Sequence, residues 1–131
     1  MLDVKGNYID GSGLHREIGT GYDGTGRKVE ECDETIVFLG LWTCLWGHEL
    51  KDSLRRLWVL NDKGFMERYG HLRFVYVSID DKDPDLNFQE LLNIIGIGVV
   101  RLERINRIIR FSNVILPDEC FWGQGSVYFF T

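Results

Sequence analysis

Thr35-Ile36-Val37-Phe38-Leu39-Gly40 and Phe74-Val75-Tyr76-Val77-Ser78-Ile79 decide the fold. Each is a short run of β-branched, aromatic and aliphatic residues without the polar alternation of a half-wetted strand. Such runs suit strands buried on both faces, as in parallel sheets covered by helices. Between them, Leu50, Leu54, Leu57 and Trp58 make one apolar stripe at α-helical spacing, which predicts a helix from Gly47 to Leu60. Asn61, Asp62 and Gly64 end it. Beyond the second run comes an acidic loop, Asp80 to Asp85, and then Asn87 and Glu90 at capping-box spacing, opening a helix through Ile95. Gly96 and Gly98 stop that helix, because glycine tolerates the left-handed C-terminal conformation. Val99 to Leu102 reads as a third strand, and Ile108 to Leu116 as one or two more before Pro117.

Strands and helices alternating with connections of this length predict a Rossmann-like α/β fold, a mostly parallel sheet with flanking helices. Ligands of such sheets bind beyond the carboxyl ends of the strands. That edge is expected at residues 41 to 48 and 78 to 85. The region before it differs. Seven of the 15 glycines lie within the first 26 residues, with Tyr8, Ile9, Leu14, Ile18 and Val29 as apolar islands among turn residues. That pattern predicts an antiparallel hairpin extension over 1–34, preceding the α/β domain at 35–131.

The composition fits one compact domain. There are 131 residues, 44% of them hydrophobic, which excludes a disordered chain. With 15 basic and 20 acidic side chains the net charge is -5, which argues against non-specific nucleic-acid binding and a polybasic membrane footprint. No apolar run approaches the roughly 20 residues of a transmembrane helix, and the N-terminal stretch lacks a signal peptide's apolar centre. Cys32, Cys44 and Cys120 are odd in number and far apart, so a reducing, cytoplasmic setting is expected.

Several motifs invite chemistry and meet plainer readings. Gly19-Thr20-Gly21-Tyr22-Asp23-Gly24 spells a dinucleotide fingerprint, but no helix pattern follows it, and a hairpin turn explains it. Asp81, Asp83 and Asp85 begin like a calcium loop, yet Leu86 and Leu92 stand where glycine and glutamate are required. His48-Glu49-Leu50-Lys51-Asp52 resembles a zinc-protease helix with its second histidine replaced by aspartate, and Cys44 lies nearby. The other histidines and cysteines are not spaced to complete a metal site, so none is expected. Arg101, Arg104, Arg107 and Arg110 recur every third residue; a solvated surface is favoured over an anion site.

The stretch from Trp46 to Trp58 carries the most chemical information. On an α-helical wheel His48, Asp52 and Arg55 or Arg56 oppose the leucine stripe. His48 and Asp52 are one turn apart and can pair, which would raise the imidazole's affinity for protons. A histidine just past a strand's carboxyl end suits proton transfer or substrate positioning. The competing reading is a surface ion pair without function.

Gly21-Tyr22-Asp23 onward, Glu34 to Gly40, and Trp46-Gly47-His48-Glu49-Leu50-Lys51-Asp52-Ser53-Leu54-Arg55-Arg56-Leu57-Trp58 together resemble glycosyltransferase family 61, in its bacterial capsular-polysaccharide branch. The family pattern is a histidine, an acidic residue four later, then a leucine-rich stretch ending in aromatics. Asn113-Val114-Ile115-Leu116-Pro117-Asp118 resembles its strand followed by Pro-Asp. Cys44-Leu45-Trp46-Gly47 departs from the asparagine and aromatic residue that many members place before the histidine, and Glu49 stands where phenylalanine is common.

The resemblance implies one half of a two-domain GT-B enzyme, the acceptor-side half, with the nucleotide sugar held mainly by a second domain beyond this chain. It implies sugar transfer from a nucleotide sugar to a saccharide hydroxyl in capsular or exopolysaccharide assembly. His48 and Asp52 are the expected catalytic pair. Trp42, Trp46, Gly47, Arg55, Asp80 and Asp81 are the expected substrate contacts, with core packing the alternative for at least one of the two tryptophans. No cofactor is expected, the isolated chain is expected to be inactive, and the location expected is the cytoplasm or the inner face of the membrane. The alternative is a non-catalytic α/β binding or interaction module, with the aromatic C-terminus as a docking surface or homo-oligomer contact.

Overall fold

The computed structural model describes residues 26–43, 53–78, 81–97 and 102–120. Four strands, β1 (Glu30–Trp42), β2 (Arg73–Ser78), β3 (Leu102–Arg104) and β4 (Ile109–Ile115), form one sheet in the order β3-β2-β1-β4. All three pairings are parallel. This is the order of one half of a Rossmann-like sheet, with the direction of strand addition reversing between β1 and β4. The α/β class read from the apolar runs holds.

β1 starts at Glu30, well before the apolar run at Thr35. Its first half pairs with β4, from Glu30 opposite Ile109 to Val37 opposite Ile115. Its second half pairs with β2, from Ile36 opposite Arg73 to Trp42 opposite Ser78. Residues 30–34 are therefore part of the parallel sheet, and a boundary at 34/35 falls inside β1. Their charge sets them apart from the apolar run, and the sequence reading places them in the hairpin extension. Glu30 pairs with Arg107 at 3.1 Å, Glu31 with Arg110 at 2.6 Å, and Asp33 accepts from the Ser112 hydroxyl at 2.9 Å. Arg73 on β2 clips the neighbouring strands together through Glu34 on β1 and Glu103 on β3. Those two carboxylates, Glu103 foremost, hold its guanidinium above the usual range. Of the hairpin extension expected over 1–34, residues 1–25, with the glycine-rich fingerprint, lie outside the described residues.

Alternate residues of the strands supply two apolar faces, as the two-residue period of a strand requires. Val37, Leu39, Phe74 and Tyr76 join Leu57, Val59, Leu60, Phe88, Leu92 and Ile97 in the larger cluster. Ile36, Phe38 and Val75 form the smaller one, against which Ile105, Phe111 and Val114 pack. All the described helices contribute to the larger cluster.

The helices depart from expectation in instructive ways. Leu54–Leu60 is a 3₁₀ helix, and a separate α-helix, α1 (Lys63–Tyr69), follows. Asp62, read above as a terminator, is the cap of α1: its Oδ1 accepts from the Phe65 amide at 2.7 Å. The helix α2 (Leu86–Ile94) is capped by Asp85, whose Oδ1 accepts from the Phe88 amide at 2.9 Å. Asn87 lies inside that helix, so the expected Asn87–Glu90 capping box does not form. Pro84, with its fixed φ, precedes the true cap and sets the start two residues early. At the other end Gly96, at φ 80°, closes a Schellman motif: its amide donates to the Asn93 carbonyl and the Ile97 amide to the Leu92 carbonyl. Leu92 and Ile97 are both buried, the apolar contact that accompanies the motif.

Asp85→Ala should therefore cost about 1 kcal/mol in chemical denaturation. Asn87→Ala should change stability by less than about 0.5 kcal/mol. The opposite order would restore the cap to Asn87.

Candidate functional site

The carboxyl edge of the sheet is built around the 3₁₀ helix. Its 120° step puts Leu54, Leu57 and Leu60 in one row, Arg55 and Trp58 in a second, and Arg56 and Val59 in a third. The α-helical wheel used above predicts a different set of faces. It makes Trp58 part of the buried stripe and leaves an arginine in solvent. In the structure Trp58 is the exposed residue, and both Arg55 and Arg56 are buried, at 2% and 3% exposure.

Two adjacent buried guanidiniums must find acceptors. Glu119, in the segment after β4, meets both: Arg55 Nη1 lies 2.6 Å from one carboxylate oxygen and Arg56 Nη2 2.9 Å from the other. The Arg56 Nε–H donates to the Pro117 carbonyl at 2.8 Å. The Trp58 indole donates to the Asp118 carbonyl at 2.9 Å, and the Cys120 amide to the Arg55 carbonyl at 2.9 Å. Residues 117–120 are thereby latched to residues 55–58 beside the carboxyl ends of β1 and β4, where the strand order reverses. Burial lowers the Arg56 guanidinium's affinity for protons, and Glu119 opposes that shift. Gly40 makes room: a Cβ there would sit 2.8 Å from Arg56 Nη1, and its φ of 105° suits glycine alone.

Beside this latch, at the ends of β1 and β2, lies a partly open hollow of about 10 Å³ lined by Trp42, Thr43, Ser53, Tyr76, Ser78 and Lys82 among others. The Trp42 Nε1–H and the Ser53 hydroxyl are buried there without a hydrogen-bond partner among the described residues. The Lys82 amide donates to the Ser78 hydroxyl oxygen at 3.1 Å, folding the acidic turn back toward the hollow.

The candidate residues fall in different places. Trp42 is a core residue, stacked on Tyr76 at 4.0 Å and edge-on to Phe88 at 5.4 Å, so its ring faces are occupied by protein. It presents its indole N–H instead. Arg55 is engaged by Glu119. Asp81, at φ 52°, is exposed and pairs with Arg104 at 2.8 Å, while Asp83 takes the same guanidinium at 2.9 Å. His48, Asp52, Trp46, Gly47 and Asp80 lie outside the described residues, as does Cys44. Of the arginine series, Arg104, Arg107 and Arg110 each meet a carboxylate, two of them from β1. Ser53, Lys82 and Glu119 were not singled out in the sequence, and Arg56 was placed only as an alternative to Arg55 on the face opposite the leucine stripe. Buried arginines read there as a solvated helix face, and only the adjacency of two cations with few nearby acids hinted otherwise.

No three His, Cys, Asp or Glu side chains among the described residues converge to hold a metal ion, and no described helix is long and apolar enough to cross a membrane. Comparison with protein-family models, curated proteins and solved structures finds no match to this chain.

Glu119→Ala removes the carboxylate shared by two buried guanidiniums and should destabilise the domain by about 3 kcal/mol in denaturant titration. A loss under about 1 kcal/mol would mean that the latch is exposed in solution. The neighbouring thiol gives a pH signature. Burial pushes Cys120 above the ordinary thiol range. The folded chain then holds that proton to higher pH than the unfolded one, so stability falls as pH rises through the unfolded thiol's range. Alkylation of Cys120, followed by peptide mass mapping, should show a higher pH midpoint in the native chain than in urea. Equal midpoints would contradict the burial.

Proposed function

We propose that this chain is the acceptor-side α/β half of a glycosyltransferase of capsular or exopolysaccharide assembly, working in the cytoplasm. The observation that supports this reading best is the position of two residues. Thr43 and Ser53 bracket the stretch carrying His48 and Asp52, and both line the hollow beyond the carboxyl ends of β1 and β2. Sheets of this kind present ligands at that edge.

In this reading the His48 imidazole accepts the proton of the acceptor hydroxyl as its oxygen bonds to the donor's anomeric carbon. The nucleoside diphosphate leaves with the electron pair of the broken bond. Asp52 orients the imidazole and stabilises its cationic form. Trp46, Gly47, Asp80 and Asp81 contact the saccharide. Arg55, held by Glu119, fixes the helix that follows Asp52. The nucleotide sugar is gripped chiefly by a second domain.

A second reading, a non-catalytic interaction module, draws on the exposed apolar side chains of Leu86 and Ile94 on α2. Transfer of labelled sugar by the protein carrying this chain separates the two. His48→Ala should lower turnover about a hundredfold or more. Near-normal turnover would remove the histidine from the mechanism, and a stable dimer that binds neither nucleotide sugar nor saccharide would favour the module.

A further inference from the structure

We propose that the hollow at the carboxyl ends of β1 and β2 is an oxyanion subsite, taking one oxygen of a ligand's carboxylate or phosphate group. The proposal stands on the hollow alone and does not require the glycosyltransferase reading. Three observations carry it. The Trp42 indole N–H and the Ser53 hydroxyl are buried and unpartnered, on residues that line one cavity. Native proteins keep such groups where water or a ligand completes them. Second, the donors outnumber what a neutral partner needs. An indole N–H and an ammonium can only donate, and no carboxylate lines the hollow among the described residues. Third, the room of about 10 Å³ admits a single oxygen-sized atom. Lys82 also lines the hollow, with its amide bonded to the Ser78 hydroxyl, and in this proposal its ammonium supplies the positive charge for the rest of the group outside.

The rigidity of the donors matters as much as their number. Trp42 cannot turn its N–H away, because Tyr76 stacks on the ring at 4.0 Å and Phe88 closes its edge. A fixed donor favours a charged acceptor that needs no donor in return. A water would satisfy the indole and the serine equally well, but would gain nothing specific from the ammonium.

The test follows the indole resonances of the full chain labelled with ¹⁵N. Trp42 is assigned by elimination through Trp46→Phe, Trp58→Phe and Trp122→Phe. The chain is titrated with inorganic phosphate, glucuronate and glucose at matched ionic strength. The expected result is that phosphate, glucuronate or both move the Trp42 resonance and glucose does not. Movement by glucuronate alone assigns a carboxylate, by phosphate alone a phosphate group. Lys82→Gln should weaken the effective anion about tenfold. Ser53→Ala should also weaken it, while the chain stays folded, since removing an unpartnered hydroxyl costs the fold little. A Trp42 resonance unmoved by either anion overturns the proposal and leaves a water site. So does equal movement by glucose, or anion binding unchanged in Lys82→Gln.

Discussion

Two guanidinium groups shielded from water must each be answered by an acceptor, and the carboxyl edge of this domain is arranged around that demand. Arg55 and Arg56 are neighbours in sequence and both buried, so one helix face cannot hold them apart. Glu119 answers both from a segment that starts on the far side of β1. The glycine at position 40 is the counterpart on the sheet, where the φ of 105° suits glycine and an added Cβ would lie 2.8 Å from Arg56 Nη1. The geometry of the 3₁₀ helix, the course of the chain after β4 and the conformation of β1 near its end are thus linked through one carboxylate. Buried ion pairs of this kind add little net stability compared with apolar packing, but losing one partner is costly. Their effect is to fix one arrangement at the point where the strand order reverses.

That arrangement leaves a second feature beside it. β1 ends in Trp42, whose ring completes the core while its N–H stays unsatisfied, and the 3₁₀ helix begins after Ser53, whose hydroxyl is equally orphaned. The same strand end therefore serves packing and polarity at once. Thr43, just past the end of β1, and Ser53, just before the 3₁₀ helix, both line one hollow.

The fold was legible because buried parallel strands write themselves as continuous apolar runs. Ile36 to Leu39 and Phe74 to Tyr76 are buried as those runs require. Gly96 was legible for a similar reason, since a left-handed helix terminus leaves a mark in the residue type itself. The first five residues of β1 were not. They carry four acidic side chains, and their partners, Arg107, Arg110 and Ser112, are far away in sequence. The α-helical wheel misled over Leu54–Leu60, where the chain is a 3₁₀ helix that steps by 120° and not 100°. Asp62 and Asp85 show the same limit at closer range: an aspartate ends one helix or begins the next according to which amide its oxygen reaches. The latch itself was invisible, since nothing local to Arg56 or Glu119 announces a partner some sixty residues away.

The central claim is that the ligand-facing surface is the carboxyl edge between Thr43 and Ser53. A crystal structure of the protein carrying this chain, soaked with a nucleotide sugar and a saccharide acceptor, tests it most directly. The account predicts ligand density beyond the ends of β1 and β2, with a carboxylate or phosphate oxygen within hydrogen-bond distance of Trp42 Nε1. Density confined to the exposed face of α2, or to the amino edge of the sheet, would contradict it.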